Sequence, residues 1–97
     1  MQEHVIDLIG LIGQGQIYQH VQRQLEDEYH ILSCTTDSSP EQLARCQLVV
    51  YCRDTWLPEE IQKVNRRCLQ AGAAWLPVFT QFDEAVVGPC VVPHKPG

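Results

Sequence analysis

Apolar runs and helical stripes alternate along this chain. Residues 5–12, VIDLIGLI, are a nearly unbroken run of strand-like residues. The run breaks at Gly13-Gln14-Gly15 and continues as an amphipathic segment predicted helical from Gln16 to Tyr29. There Ile17, Val21, Leu25 and Tyr29 recur every fourth position as one apolar stripe, with Gln19, Gln22, Arg23 and Glu26 elsewhere. Residues 30–36, HILSCTT, read as a second strand. Ser39-Pro40-Glu41-Gln42 reads as a helix start: Ser39 caps, Pro40 suits the first helical position, and Gln42 completes a capping box. That helix is short and ends near Cys46.

Residues 47–52, QLVVYC, are apolar enough for a strand covered on both faces. A third helix is predicted from Asp54 to Gly72, with Pro58, Glu59 and Glu60 suited to its first turn and Gly72 to the position just past its end. Ile61, Val64, Cys68 and Ala71 share one face, and Lys63, Arg66 and Arg67 lie mainly on the other, as on a solvated face. Residues 74–79, AWLPVF, are a fourth strand, and Pro77, lacking an N–H, predicts an edge or a bulge there. Beyond Thr80, two short β-branched runs, 85–87 and 90–92, flank Gly88-Pro89 and read as extended or hairpin segments antiparallel to what precedes them.

The order β-α-β-α-β-α-β plus a tail implies one α/β domain over residues 1–97, Rossmann-like and three-layered. The expected sheet has about four parallel strands in the order 3-2-1-4, with the first strand inside and an extended C-terminal tail. The all-turn ending, PHKPG, suggests a piece of a longer protein.

Ligands of such sheets bind at the carboxyl ends of the strands. The residues there are Gly13 to Gln16, Thr36-Asp37, Arg53-Asp54 and Thr80-Gln81. A strand, a glycine turn and a helix N-terminus together make an anion seat: glycine admits positive φ and close approach, and the helix points free N–H groups at the crevice. The dinucleotide fingerprint asks for a third glycine where this chain has Tyr18. Two readings stay open for the turn: a phosphate cradle, or a tight reversal required by topology.

Composition narrows the function classes. Of 97 residues 44% are hydrophobic, and the net charge is −5 with no Lys/Arg run, which argues against nucleic-acid and anionic-membrane surfaces. No apolar stretch is long enough to span a bilayer, and the N-terminus MQEHVIDL has no basic region of a secretory signal. Five cysteines without a CxxC pair fit reduced thiols in a cytoplasmic protein. Cys90 and His94 have tolerable metal-ligand spacing, but no second pair joins them, so no metal site is expected. Glu26, Asp27 and Glu28 crowd the end of the first helix, where acids are unfavourable. They are either a solvated patch or a contact surface for a basic partner.

Three pieces together carry a resemblance. Gly13-Gln14-Gly15 follows the first strand. Leu48-Val49-Val50-Tyr51-Cys52-Arg53-Asp54 resembles the strand of E1-like (ThiF-type) activating enzymes that ends in an aspartate. Leu76-Pro77-Val78, Val87-Gly88-Pro89 and Pro93-His94-Lys95-Pro96-Gly97 look like the segment preceding that family's structural zinc site. The combination is most similar to the E1-like component of cyclodehydratases that make thiazole and oxazole rings in bacteriocin precursors.

In catalytic members of the wider family the turn and the aspartate hold ATP and magnesium. The resemblance therefore implies cofactor-binding roles for Gly13, Gly15 and Asp54, and a ribose contact for Asp37. Gln16 and Tyr18 replace glycines of the family's turn, Gln47 stands where the strand motif often begins with aspartate, and no Lys or Arg lies in the turn. The ring-forming E1-like component is a scaffold that presents a precursor peptide to a separate ATP-using subunit. The reading that follows is a non-catalytic scaffold domain with no catalytic residue and no cofactor of its own. Its expected partners are the rest of its own chain, a precursor peptide and a cyclodehydratase subunit. The alternative is an ATP- or NAD-binding domain of an adenylating enzyme or dehydrogenase.

Overall fold

The computed structural model describes residues 8–55, 57–81, 84–88 and 90–92. The elements are β1 (Leu8–Gly13), α1 (Gln16–Leu25), β2 (His30–Cys34), α2 (Pro40–Ala44), β3 (Leu48–Arg53), α3 (Pro58–Ala71), β4 (Trp75–Gln81) and β5 (Glu84–Val87). They build an α/β domain with one five-stranded sheet in the order β2-β1-β3-β4-β5. The first four strands are parallel, and β5 runs antiparallel to β4.

The order corrects the expected 3-2-1-4, and the sheet has five strands rather than four. β1 is inside, as expected, but β3 pairs with β1 rather than with β2. The second crossover therefore returns past β1, which puts α1 on one face of the sheet and α2 with α3 on the other. Composition agrees with this placement. β1 and β3 are both buried along their middles, whereas β2 exposes His30 and Ser33, as an edge strand tolerates.

β4 is a second correction. It lies between β3 and β5, so Pro77 sits in an interior strand. The gap in the ladder is confined to the β5 side. Gly88 N–H donates to the Pro77 carbonyl at 2.9 Å, and the return bond of that antiparallel pair is the one Pro77 cannot make. A Cβ on Gly88 would stand 2.7 Å from the Pro77 ring, so glycine there lets the chain close over the proline. The run at 85–87 forms β5, and the run at 90–92 contributes only a bridge between Val91 and Trp75. The Pro93–Gly97 ending, with His94, lies outside the described residues.

Alternation along the strands divides the core in two. Ile9, Leu11, Val50, Cys52 and Val78 pack toward α1, against Ile17, Val21, Leu25 and Tyr29. Ile12, Val49, Tyr51 and Trp75 face α2 and α3, against Leu43, Cys46, Val64 and Cys68. α1 ends at Leu25, four residues before the expected Tyr29. Its apolar stripe still reaches Tyr29, because Tyr29 N–H closes onto the Leu25 carbonyl at 2.9 Å.

Two ends of the other helices, at Ser39 and at Gly72, follow the sequence. Ser39 Oγ accepts from Gln42 N–H at 3.2 Å at the start of α2. α3 begins at Pro58 rather than at Asp54 and ends on Gly72 at φ +71°. There Ala73 N–H returns to the Cys68 carbonyl in a Schellman closure.

All five cysteines are free thiols; Cys34, Cys46, Cys52 and Cys68 are buried and Cys90 is exposed. Gly10 has no side chain where α2 meets β1, and a Cβ there would lie 2.7 Å from Cys46 Sγ and 3.4 Å from Cys34 Sγ. Burial pushes the Cys46 and Cys52 thiols up to about 12 and that of Cys68 to about 11. Such thiols are inert at neutral pH.

Candidate functional site at the glycine turn

The turn after β1 is stitched to β3. Gln14 N–H donates to the Cys52 carbonyl at 3.3 Å. Gly13, at φ +127°, lies so close to that carbonyl that a Cβ would stand 1.8 Å from its oxygen. Gly15, at φ +104° and ψ −172°, is the N-cap of α1 and has no side chain with which to satisfy the first helical N–H groups. The acceptor comes instead from the residue that follows β3. The Asp54 carboxylate takes Gln16 N–H on Oδ2 and Ile17 N–H on Oδ1, both at 3.0 Å. A Cβ on Gly15 would lie 2.4 Å from Asp54 Oδ2, so the second glycine is what admits this carboxylate. The two backbone donors, Ile17 first, hold the Asp54 carboxyl below its ordinary range.

Three of the four candidate residues, Gly13, Gly15 and Asp54, are thus gathered at one point. The fourth is drawn elsewhere. Asp37 is exposed and paired with Lys63 on α3, which holds its carboxyl low. Its turn is closed by its own side chains, Thr35 N–H onto Ser38 Oγ at 2.9 Å and Asp37 N–H onto Thr35 Oγ1 at 3.1 Å. Tyr18, where the fingerprint has glycine, is half-buried and leans to the β2 edge, with its hydroxyl 3.3 Å from Ser33 Oγ.

On the α2–α3 side of the turn a crevice of about 180 Å³ is lined by Gln14, Thr35, Thr36, Arg53 and Glu60 with the ends of β1 and β2. Its cation is engaged. Arg53 makes a two-pronged pair with Glu60, Nε to Oε1 at 2.9 Å and Nη2 to Oε2 at 2.5 Å. Tyr51, buried below, donates its hydroxyl to Glu60 Oε1 at 2.6 Å. Arg53 holds the Glu60 carboxyl below its ordinary range, and burial followed by the neighbouring carboxylate raises the Tyr51 phenol. The sequence gives no local sign of the Tyr51–Glu60–Arg53 cluster, because β3 and α3 meet only in the fold. The Asp54 cap did have a sign: a helix starting on glycine must find an acceptor outside itself.

An anion entering this seat competes with Asp54 for the Gln16 and Ile17 donors. Among the described residues no group of three or more His, Cys, Asp or Glu is arranged to hold a metal ion.

No family model and no curated protein matches the chain. Among solved structures it is similar to a heterocyclase determined in complex with substrate and cofactor, with 26% identity and a TM-score of 0.69. The match covers 94% of this chain and 12% of that one, so the chain corresponds to about an eighth of the heterocyclase. This likeness agrees with the sequence resemblance: the chain is similar in fold and sequence to a segment of a heterocyclase.

Proposed function

We propose that the chain is a non-catalytic scaffold domain of an E1-like protein that takes part in forming thiazole or oxazole rings in a bacteriocin-type peptide. The observation that carries the scaffold reading is the Asp54 carboxylate on the N-terminus of α1. In a nucleotide-binding relative that position receives phosphate. Here the chain supplies its own anion, the Arg53 fork is held by Glu60, and Tyr18 replaces the glycine of close helix–strand packing. These residues fit a nucleotide phosphate poorly, and they support a pocket that keeps the architecture of its relatives without their ligand. Gly13 and Gly15 then serve the turn, and Asp54 serves the helix. Likeness to the heterocyclase supports the maturation context.

Titration calorimetry with Mg-ATP and with NAD, on wild type and Asp54→Ala, separates this from the nucleotide-binding alternative because the two readings predict opposite signs. If Asp54 fills the seat, wild type binds neither ligand at millimolar concentration, and removing the carboxylate improves anion binding. If Asp54 holds a magnesium ion, wild type binds and the variant does not. A wild-type dissociation constant below about 100 μM, lost in Asp54→Ala, overturns the scaffold reading. The maturation context is tested in the producing cell: deleting this segment should leave precursor peptides that fail to lose one water per ring, as read by mass spectrometry.

A further inference from the structure

The sheet face that carries α1 is covered unevenly. Among the described residues α1 is the one helix whose side chains enter that core, while α2 and α3 pack on the opposite face. Beside α1 lies an apolar groove of about 360 Å³. Its wall is Val21 and Leu25 of α1 with Tyr29 just beyond the helix, and its floor is Val50 of β3, Val78 of β4 and Val87 of β5. Val87 is 61% exposed although it sits at the groove. Among the described residues that line it, His20, Gln24 and the Tyr29 hydroxyl are polar, and none carries a carboxylate, ammonium or guanidinium group. Strands apolar on both faces belong to sheets covered on both faces by helices, and this groove is the place next to α1 where a second helix would lie.

Charge selects the occupant. Glu26, Asp27 and Glu28 lie between Leu25 and Tyr29, both of which line the groove. All three are exposed, and they follow the C-terminal end of α1, whose dipole already disfavours them. Among the described residues no ion pair relieves them; Arg23, in the last turn of α1, is the nearest cation in sequence. Acids placed against the helix dipole are unfavourable within this chain, and they become favourable beside a cationic partner.

We propose that this groove docks an amphipathic helix of a partner protein, with an apolar stripe along one face and Lys or Arg in its last turn. Cations are at home in the last turn of a helix. Placing that turn beside Glu26–Glu28 makes the docked helix parallel to α1, the relation of neighbouring helices on one face of a doubly wound sheet. Apolar anchors at i, i+3 or i+4, and i+7 fill the groove in the helix-in-groove mode. This inference is independent of what the glycine turn binds.

The test uses the 97-residue chain and three fluorescent synthetic peptides sharing one leucine stripe. One carries lysines in its last turn, one lysines in its first turn, and one glutamates in its last turn. Anisotropy should show the first binding about tenfold tighter than the other two, the size of three rim charge pairs. Val87→Glu should abolish binding, and the surface variant E26Q/D27N/E28Q should bring the first peptide to the level of the third. Thermal melts by circular dichroism establish that each variant is folded. The proposal is overturned if the glutamate-ended peptide binds as well, if none binds, or if Val87→Glu binds normally. It is also overturned if sedimentation shows a wild-type dimer that Val87→Glu converts to monomer, because the occupant is then a second copy of this chain.

Discussion

Gly15 and Asp54 should behave as one unit in a double-mutant cycle. Gly15 sits at φ +104° and ψ −172°, a backbone region that side chains other than glycine's scarcely occupy. Alanine there costs about 1–3 kcal/mol in backbone strain alone. Its Cβ would also lie 2.4, 2.8 and 3.0 Å from Asp54 Oδ2, Cγ and Oδ1, so the carboxylate must leave. Gly15→Ala therefore carries two losses, strain and cap, whereas Asp54→Ala carries only the loss of the cap. In the double variant the cap is lost once.

For a domain of this size the strain corresponds to a fall in Tm of roughly 4–24 °C. Asp54→Ala should lower Tm measurably in the wild type and leave it unchanged in Gly15→Ala. The assay is thermal and urea denaturation followed by circular dichroism, with all four proteins at one pH. If Asp54→Ala lowers Tm equally in both backgrounds, Asp54 does not cap α1 in solution, and the account of the turn given above is wrong.

Three further outcomes are expected. Ellman's reagent at pH 8 should find one fast thiol, Cys90, in the native protein and five in denaturant, because the other four are buried; a count of three or one in denaturant would reveal disulfides. Tyr51→Phe removes the hydroxyl that donates to Glu60 at 2.6 Å but leaves Arg53 on that carboxylate, so urea titration should show a loss of about 1.5 kcal/mol, the low end for a bond to a charged partner. Melts across pH should show stability flat from pH 7 to 5 and falling below pH 4. Asp37, Asp54 and Glu60 all have lowered folded-state values, so the unfolded chain takes up protons first, and their contribution is lost as pH drops through the folded values.

Local structure was legible wherever one residue fixes a local event. The Ser39-Pro40 start, the Gly72 stop and the break at Gly13 are each decided within a few residues, and they lie where expected. Strand order is not decided that way. The pattern of a crossover is the same whichever neighbour its second strand joins, so 3-2-1-4 and 2-1-3-4 read alike along the chain. The difference was written in the polarity of β2, whose His30 and Ser33 suit an edge. Pro77 misled for a related reason. A proline loses a donor on one side only, and in β4 that side faces β5 where Gly88 begins to leave the ladder.

The candidate site shows the same division between place and role. Strand ends in a parallel sheet converge, so Gly13, Gly15 and Asp54 were bound to meet once β1 and β3 became neighbours. What each does on meeting depends on half-ångström geometry that spacing does not encode. A carboxylate after β3 has two uses near a helix N-terminus: it faces outward to a metal and its phosphate, or it turns inward and takes the helix donors itself. The inward turn requires an empty place where a Cβ would stand, and Gly15 provides one. The same residue that leaves room for a phosphate thus leaves room for the chain's own anion. A glycine turn before a helix marks an anion seat in sequence, and only the partner strand tells who sits in it.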